Sequence, residues 1–294
     1  MFEIKVPASS ANLGIGFDSS ALALSLYNTF LFEISEKTSF VGFEKAFSNE
    51  SNLVYQSYRF VFQKLNRKPL PIKITLVKQE IPVSRGLGSS SACIIAGAMA
   101  ANHVLNHPFT EQELLQLMVA EEGHPDNLVA SFYGGLTSSF MDSDEIIYMK
   151  KDVSLNLHFY LLIPPFEVST KMARELLPKS LPFKDVTSVL SRVHFLMDAF
   201  HQGDFRLLQK ILKDKIHEPY RYPLIQDGLQ IKEELEALGA CVLISGSGST
   251  LLVISKDNTF EDQLVQVKKL SSWVVKKTEV SRIGAQLDEV RSDS

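Results

Sequence analysis

The chain has 294 residues, 45% of them hydrophobic, and a formal net charge of -4 at pH 7, which is enough apolar material for one large or two modest cores. Its lysines and arginines are scattered, so no basic stripe offers a seat for nucleic acid. No apolar run approaches the roughly 18 residues that span a bilayer, and no charged, apolar and cleavable leader opens the sequence. The expectation is therefore a cytoplasmic protein with neither nucleic acid nor membrane among its partners. The two cysteines, Cys93 and Cys241, sit in apolar stretches and read as small core residues rather than as a disulfide or a thiolate metal site.

In chain order, alternation and composition predict strands at Phe2–Val6 and Tyr27–Ile34, a helix over Leu53–Leu65 and a half-buried strand over Ile72–Val77. The next segment is the most informative. Pro82-Val83-Ser84-Arg85-Gly86-Leu87-Gly88-Ser89-Ser90-Ser91-Ala92 links that strand to an alanine-rich helix running to Leu105. Glycines at 86 and 88 permit positive φ and close approach to a ligand, and the first amides of the helix have no internal acceptor and lie at its positive dipole end. Phosphate suits such a cradle. No lysine follows the second glycine and no Gly-x-Gly-x-x-Gly occurs, so the loop is neither a Walker P-loop nor a dinucleotide fingerprint. A divalent metal would have to supply the missing positive charge, which predicts a carboxylate nearby in space.

Thr110-x-x-Glu113 reads as a capping box opening a helix to about Glu121. The polar knot Glu121-Glu122-Gly123-His124-Pro125-Asp126-Asn127 then leads to an apolar segment. A hairpin-like stretch follows from Gly134-Gly135 to about Met149, and a domain boundary is placed near Asp152, dividing the chain into 1–152 and 153–294. Beyond it come an apolar Leu155–Ile163 stopped by Pro164-Pro165, helical patterns over Asp185–Ile216 and Leu229–Leu238, and strands at Cys241–Ser245, Leu251–Ser255 and Trp273–Val280. The histidines at 103, 107, 158, 194 and 201 lack metal-ligand spacing.

Three ordered segments resemble the signatures of the GHMP family of small-molecule kinases. They are Val6-Pro7-Ala8-Ser9-Ser10-Ala11-Asn12-Leu13-Gly14 with Gly16-Phe17-Asp18, the serine-rich loop itself, and Gly246-Ser247-Gly248-Ser249-Thr250. Glu122-Gly123-His124-Pro125-Asp126-Asn127 is similar to the form carried by the homoserine kinase branch. The resemblance implies an α+β, two-domain fold: a first domain like ribosomal protein S5 domain 2, containing a left-handed β-α-β crossover, and a ferredoxin-like second domain, with the active site between them. It implies ATP as phosphoryl donor, Mg²⁺ as cofactor and L-homoserine as acceptor, in threonine biosynthesis; a homodimer is left open.

By the same resemblance the run from Pro82 to Ala92 holds the nucleotide. Glu122 holds Mg²⁺ with the hydroxyl of Ser89 or Ser90, a choice the sequence leaves open. Asn127, standing where mevalonate and galactose kinases place a catalytic aspartate, orients the attacking hydroxyl without acting as a base. Asp126 is assigned a structural role. His124, Asn127 and Thr170 face the substrate. Arg174 and Arg221 clamp its carboxylate, as arginine forks do, and Asn12 with Asp18 receives its ammonium. Asn52, with Leu53 and Val54, either lines the adenine pocket or simply caps the helix that follows. The alternatives are a mevalonate-type or sugar kinase, or a ligand sensor of the same fold.

Overall fold

The computed structural model describes residues 1–143 and 145–290. Among them, two sheets and eleven α-helices are arranged as two halves joined along one face. The first half holds strands β1 (Phe2–Ala11), β2 (Ser20–Ile34), β3 (Ser39–Val41), β4 (Ile72–Gln79), β5 (Leu136–Asp142) and β6 (Glu145–Lys151). Its sheet runs β11-β1-β2-β4-β3, with β5 pairing β2 and β6 extending from β5; β11 is Gln286–Glu289, near the far end of the chain. The half that starts after residue 152 thus returns one strand to the first sheet. The pairing of β3 with β4 is parallel, and helix α1 (Leu53–Lys64) forms the crossover between them.

Four strands, β7 (His158–Ile163), β8 (Cys241–Ile244), β9 (Leu251–Ser255) and β10 (Val274–Thr278), form the second sheet in the antiparallel order β10-β7-β9-β8. With helices in the first and last connections, this is the β-α-β-β-α-β order of a ferredoxin-like unit. Strands β7, β8 and β9 read as apolar runs because both their faces are covered, whereas the edge strand β10 carries Lys276 and Lys277. Phe159, Leu161, Leu243 and Leu252 join the core shared with the first half, whereas Tyr160, Leu162, Val242 and Val253 pack on the other side with Ile231 and Leu235.

The helices of the first half are α1, α2 (Ser89–Val104), α3 (Glu111–Glu122) and α4 (Asp126–Tyr133). Close approach of α1 and α2 requires a glycine: a Cβ on Gly97 would stand 2.1 Å from the Val54 carbonyl. Ser57 Oγ donates to Ile94 O at 2.9 Å across the same contact. The expected capping box forms, with Thr110 receiving Glu113 N and the Glu113 carboxylate returning to Thr110 N.

The second half holds α5 (Thr170–Glu175), α6 (Phe183–Val193), α7 (Leu196–Gln202), α8 (Phe205–Ile211), α9 (Glu218–Arg221), α10 (Gly228–Ala237) and α11 (Glu261–Leu264). The single helical pattern expected over Asp185–Ile216 is three helices. Gly203, at φ 70°, ends α7, and the Asp204 side chain caps α8 through Leu207 N at 2.9 Å, a stop and start signal that periodicity passed over. Both cysteines are free, Cys241 buried and Cys93 partly so. No helix among the described residues is long and apolar enough to cross a membrane.

Candidate active site

The loop after β4 is fixed before any ligand arrives. Asn28, a polar residue buried in β2, accepts from Glu80 N at 3.1 Å and Ile81 N at 3.0 Å, setting the direction in which the chain leaves the strand. Gly88, at φ 71°, sits before the first residue of α2 and turns that helix's free amides toward the cleft. A Cβ at Gly88 would meet Ser9 Oγ at 2.3 Å, and one at Gly86 would meet the Ser245 carbonyl at 2.1 Å. These two glycines are demanded by close neighbours, backbone at Gly86 and the Ser9 hydroxyl at Gly88, as well as by φ.

Gly246–Thr250, the third resembling segment, lies against the loop. Ser245 Oγ donates to Gly86 O at 2.6 Å and Thr250 N to Arg85 O at 3.2 Å, while Gly246 N reaches Ala11 O at 3.0 Å. All three signature segments thus meet at one place. Arg85 is a staple between the halves: its guanidinium donates to Pro164 O and Pro165 O and pairs with Glu167.

One cleft of about 300 Å³ runs along this loop. Of the predicted nucleotide residues, Val83 through Ser91 and Asn52 line it, whereas Pro82 and Ala92 do not. Ala92 is fully buried beneath the loop. At one end the walls are Phe30, Phe43, Phe47, Leu53 and Leu76, an apolar slot lined by aromatic rings. Asn52 lines that slot and also caps α1, accepting from Val54 N at 3.0 Å; Val54 belongs to the core instead.

In the middle, Glu122 Oε2 accepts from Ser90 Oγ at 2.9 Å and Oε1 from Ser91 Oγ at 3.2 Å. Ser90 and Ser91 are the serines at this carboxylate; Ser89, named from the sequence with Ser90, lines the cleft without that bond. No cation pairs with Glu122 within 4.0 Å among the described residues, and burial pushes its pKa above the ordinary carboxylate range. A half-buried carboxylate flanked by hydroxyls and lacking a cation is a donor set that suits a hard divalent ion shared with phosphate oxygens.

Asn127, the second residue of α4, stands beside the loop. Its Oδ1 accepts from Ser9 Oγ at 2.8 Å, and Ser9 in turn accepts from Ser131 Oγ at 2.9 Å. That bond fixes which way the amide is turned, and leaves its NH₂, a donor, without a partner among the described residues. Asp126 Oδ1 accepts from Asn127 N at 2.8 Å. The same oxygen lies 3.6 Å from His124 Nδ1, too long for a hydrogen bond, and Asp126 holds the imidazole pKa above its usual value against the opposing effect of burial.

At the far end charged side chains gather from four separate segments. Arg174 grips Asp18 in a two-pronged pair, Nη1 to Oδ2 at 3.0 Å and Nη2 to Oδ1 at 2.9 Å. Arg221, 2% exposed, donates from Nη1 to Gly246 O at 3.0 Å and to His217 Nδ1 at 3.2 Å. Asn12 is turned to support: its Nδ2 donates to Gly246 O at 2.7 Å and its Oδ1 accepts from Asp18 N at 3.0 Å. Thr170 Oγ1 meets Ser247 Oγ at 3.1 Å. Sequence reasoning missed Phe30, Phe43 and Phe47, which carry no local signal, and Asn28, whose only signal is a polar side chain within an apolar strand.

Comparisons with known proteins give the family. Residues 52–135 match the family described as GHMP kinases N terminal domain, and residues 196–268 match GHMP kinases C terminal. The chain belongs to the GHMP kinase family. A homoserine kinase of Clostridium botulinum is 40% identical over 290 residues, covering 97% of each chain. One from Clostridium beijerinckii is 38% identical, covering 98% of this chain and 99% of its own. The crystal structure of homoserine kinase from Cytophaga hutchinsonii superposes with a TM-score of 0.86 at 27% identity, covering 98% of this chain and 97% of that one.

Proposed function

We propose that this protein is an ATP-dependent kinase that transfers the γ-phosphoryl group to the side-chain hydroxyl of L-homoserine, giving O-phospho-L-homoserine and ADP. One observation carries the reading. A cradle for phosphate and a paired carboxylate and guanidinium, Asp18 with Arg174, open into the same cleft. That pair is the complement of a zwitterion: a substrate ammonium takes Asp18, its carboxylate takes Arg174 and Arg221, and the existing ion pair is exchanged for two new ones. A sugar or a mevalonate-type acid offers no ammonium to Asp18.

The nucleotide lies with its base in the phenylalanine slot and its phosphates against Gly86–Ser91. Glu122 is the residue to hold Mg²⁺, with Ser90 the hydroxyl best placed beside it, and the bound ion supplies positive charge to the phosphate oxygens. Asn127 orients the attacking hydroxyl through its NH₂ group. Because the transition state is loose, positioning and charge neutralisation carry the rate and the proton leaves late, to a phosphate oxygen. His124 and Thr170 border the acceptor, while Asn12 acts by aiming Asp18. The two halves are read as domains 1–152 and 153–294, the second lending β11 to the first, and the reaction belongs in the cytoplasm and in threonine biosynthesis.

Steady-state turnover of ATP against a panel of alcohols tests the proposal. Homoserine is expected to stimulate ADP release strongly. Stimulation by mevalonate or a sugar, with none by homoserine, would overturn it.

A further inference from the structure

Resting on the amino-acid reading above, we infer that His217 and Phe17 are positioning residues that set the selectivity of the site for a carboxylate-bearing acceptor. His217 is fully buried, and its two ring nitrogens have opposite partners. The Arg221 guanidinium can only donate, so Nδ1 must accept from it; the Gly14 carbonyl, 2.8 Å from Nε2, can only accept, so Nε2 carries the hydrogen. A single neutral tautomer satisfies both. Burial depresses the pKa of this imidazole, in keeping with that form, although Asp214, 3.7 Å from Nε2, and Glu218 oppose the effect.

The consequence lies on Arg221. His217 and Gly246 together occupy Nη1, and no described residue accepts from Nε or Nη2. The edge left free is the Nε–Nη2 edge, one of the two that grip a carboxylate with parallel hydrogen bonds. A buried guanidinium with an unpartnered Nε is costly unless something arrives to accept from it. His217 therefore selects which edge of Arg221 is offered.

Phe17 completes the support. Its ring stacks on His217 with centroids 5.1 Å apart, and it lies 5.2 Å from the Arg221 guanidinium and 5.9 Å from that of Arg174. Two cations aimed at one carboxylate repel each other, and a shared aromatic ring offsets part of that repulsion. Neither residue is placed here in contact with the reacting atoms.

The test compares homoserine with 3-aminopropan-1-ol, the same alcohol without its carboxylate, in the full-length protein. His217→Gln, with its amide nitrogen in the place of Nε2, keeps a donor for Gly14 but leaves no acceptor in the place of Nδ1, where Arg221 donates. It is expected to raise the homoserine KM by about tenfold, the loss of one hydrogen bond to a charged group, leaving kcat and the ATP KM within about twofold. Turnover of the aminoalcohol should be unaffected, so discrimination between the two falls by the same factor. His217→Asn, whose Oδ1 can still accept from Arg221, should recover most of the loss. Phe17→Leu, a half-buried position that tolerates the change, should lower discrimination about threefold by weakening cation–π contact. If both alcohols lose activity equally, or if Gln and Asn behave alike, the residues are merely structural and the inference fails. If the unaltered protein ignores homoserine, the functional proposal fails with it.

Discussion

On the proposed reading, the two ends of the cleft recognise their ligands by different means. At the nucleotide end the contacts come from neighbours in sequence, Gly86 through Ser91, and are made by amides and hydroxyls whose positions the backbone fixes. At the acceptor end they come from residues 12, 18, 124–127, 170–174 and 221, and are made by polar and charged side chains, of which Asp18 and Arg174 first satisfy each other. A rigid, neutral cradle fits any triphosphate, while a set of exchanged ion pairs chooses among alcohols. Affinity for the donor and selectivity for the acceptor are thus separable properties.

Glu122 stands where the two meet, and its removal is expected to have the largest effect. Glu122→Gln should lower kcat by about a hundredfold or more at saturating substrates, with the deficit persisting across a Mg²⁺ titration. The same variant should be the more stable protein at neutral pH. Burial raises the Glu122 pKa, so the folded chain holds that proton more tightly than the unfolded chain does. The resulting stability is present below the ordinary carboxylate pKa and lost as pH rises through the folded value. Melting curves should show the variant's advantage at about pH 8 closing toward about pH 4; a variant less stable at both would mean that Glu122 is not a buried, uncompensated charge.

Arg174→Ala sharpens the comparison from the acceptor side. It should raise the homoserine KM about tenfold to a hundredfold, with the ATP KM unchanged. Equal changes in both constants would show the two ends to be coupled. Gly88→Ala probes the other end: its Cβ would stand 2.3 Å from Ser9 Oγ at a φ of +71°, at a cost of about 1–3 kcal/mol in thermal unfolding. Its kinetic loss should appear in the ATP KM. Asn52→Ala is the mildest, costing about 1 kcal/mol of stability through the lost α1 cap, with a small rise in the ATP KM.

The same contrast governs what could be read without coordinates. The loop was legible because its chemistry is local: two glycines, three serines and a helix start within a few residues. Glu122, Asn127, Arg174 and Arg221 were found through the segments around them, and the cleft does gather them. Their partners were not legible. That Asn12 spends its amide on Gly246 and Asp18, that Ser91 rather than Ser89 joins Ser90 at Glu122, and that Arg85 bridges to Pro164 and Pro165 are consequences of tertiary packing. The phenylalanine slot was invisible because aromatic residues without periodicity read as ordinary core. The three short helices over 183–211 were merged because amphipathic spacing continues across the breaks at His194-Phe195 and Gly203-Asp204.

Strand β11 gives the molecule a second crossing between its sheets: the polypeptide leaves the first at residue 152 and comes back to it at residue 286. Gly134 and Gly284 seal that return, each packed so tightly against the other's segment that a methyl group would not fit. Two crossings define a hinge line rather than a single pivot, so any widening that admits the substrates turns about both, and one cut near residue 152 would leave the pieces still tethered.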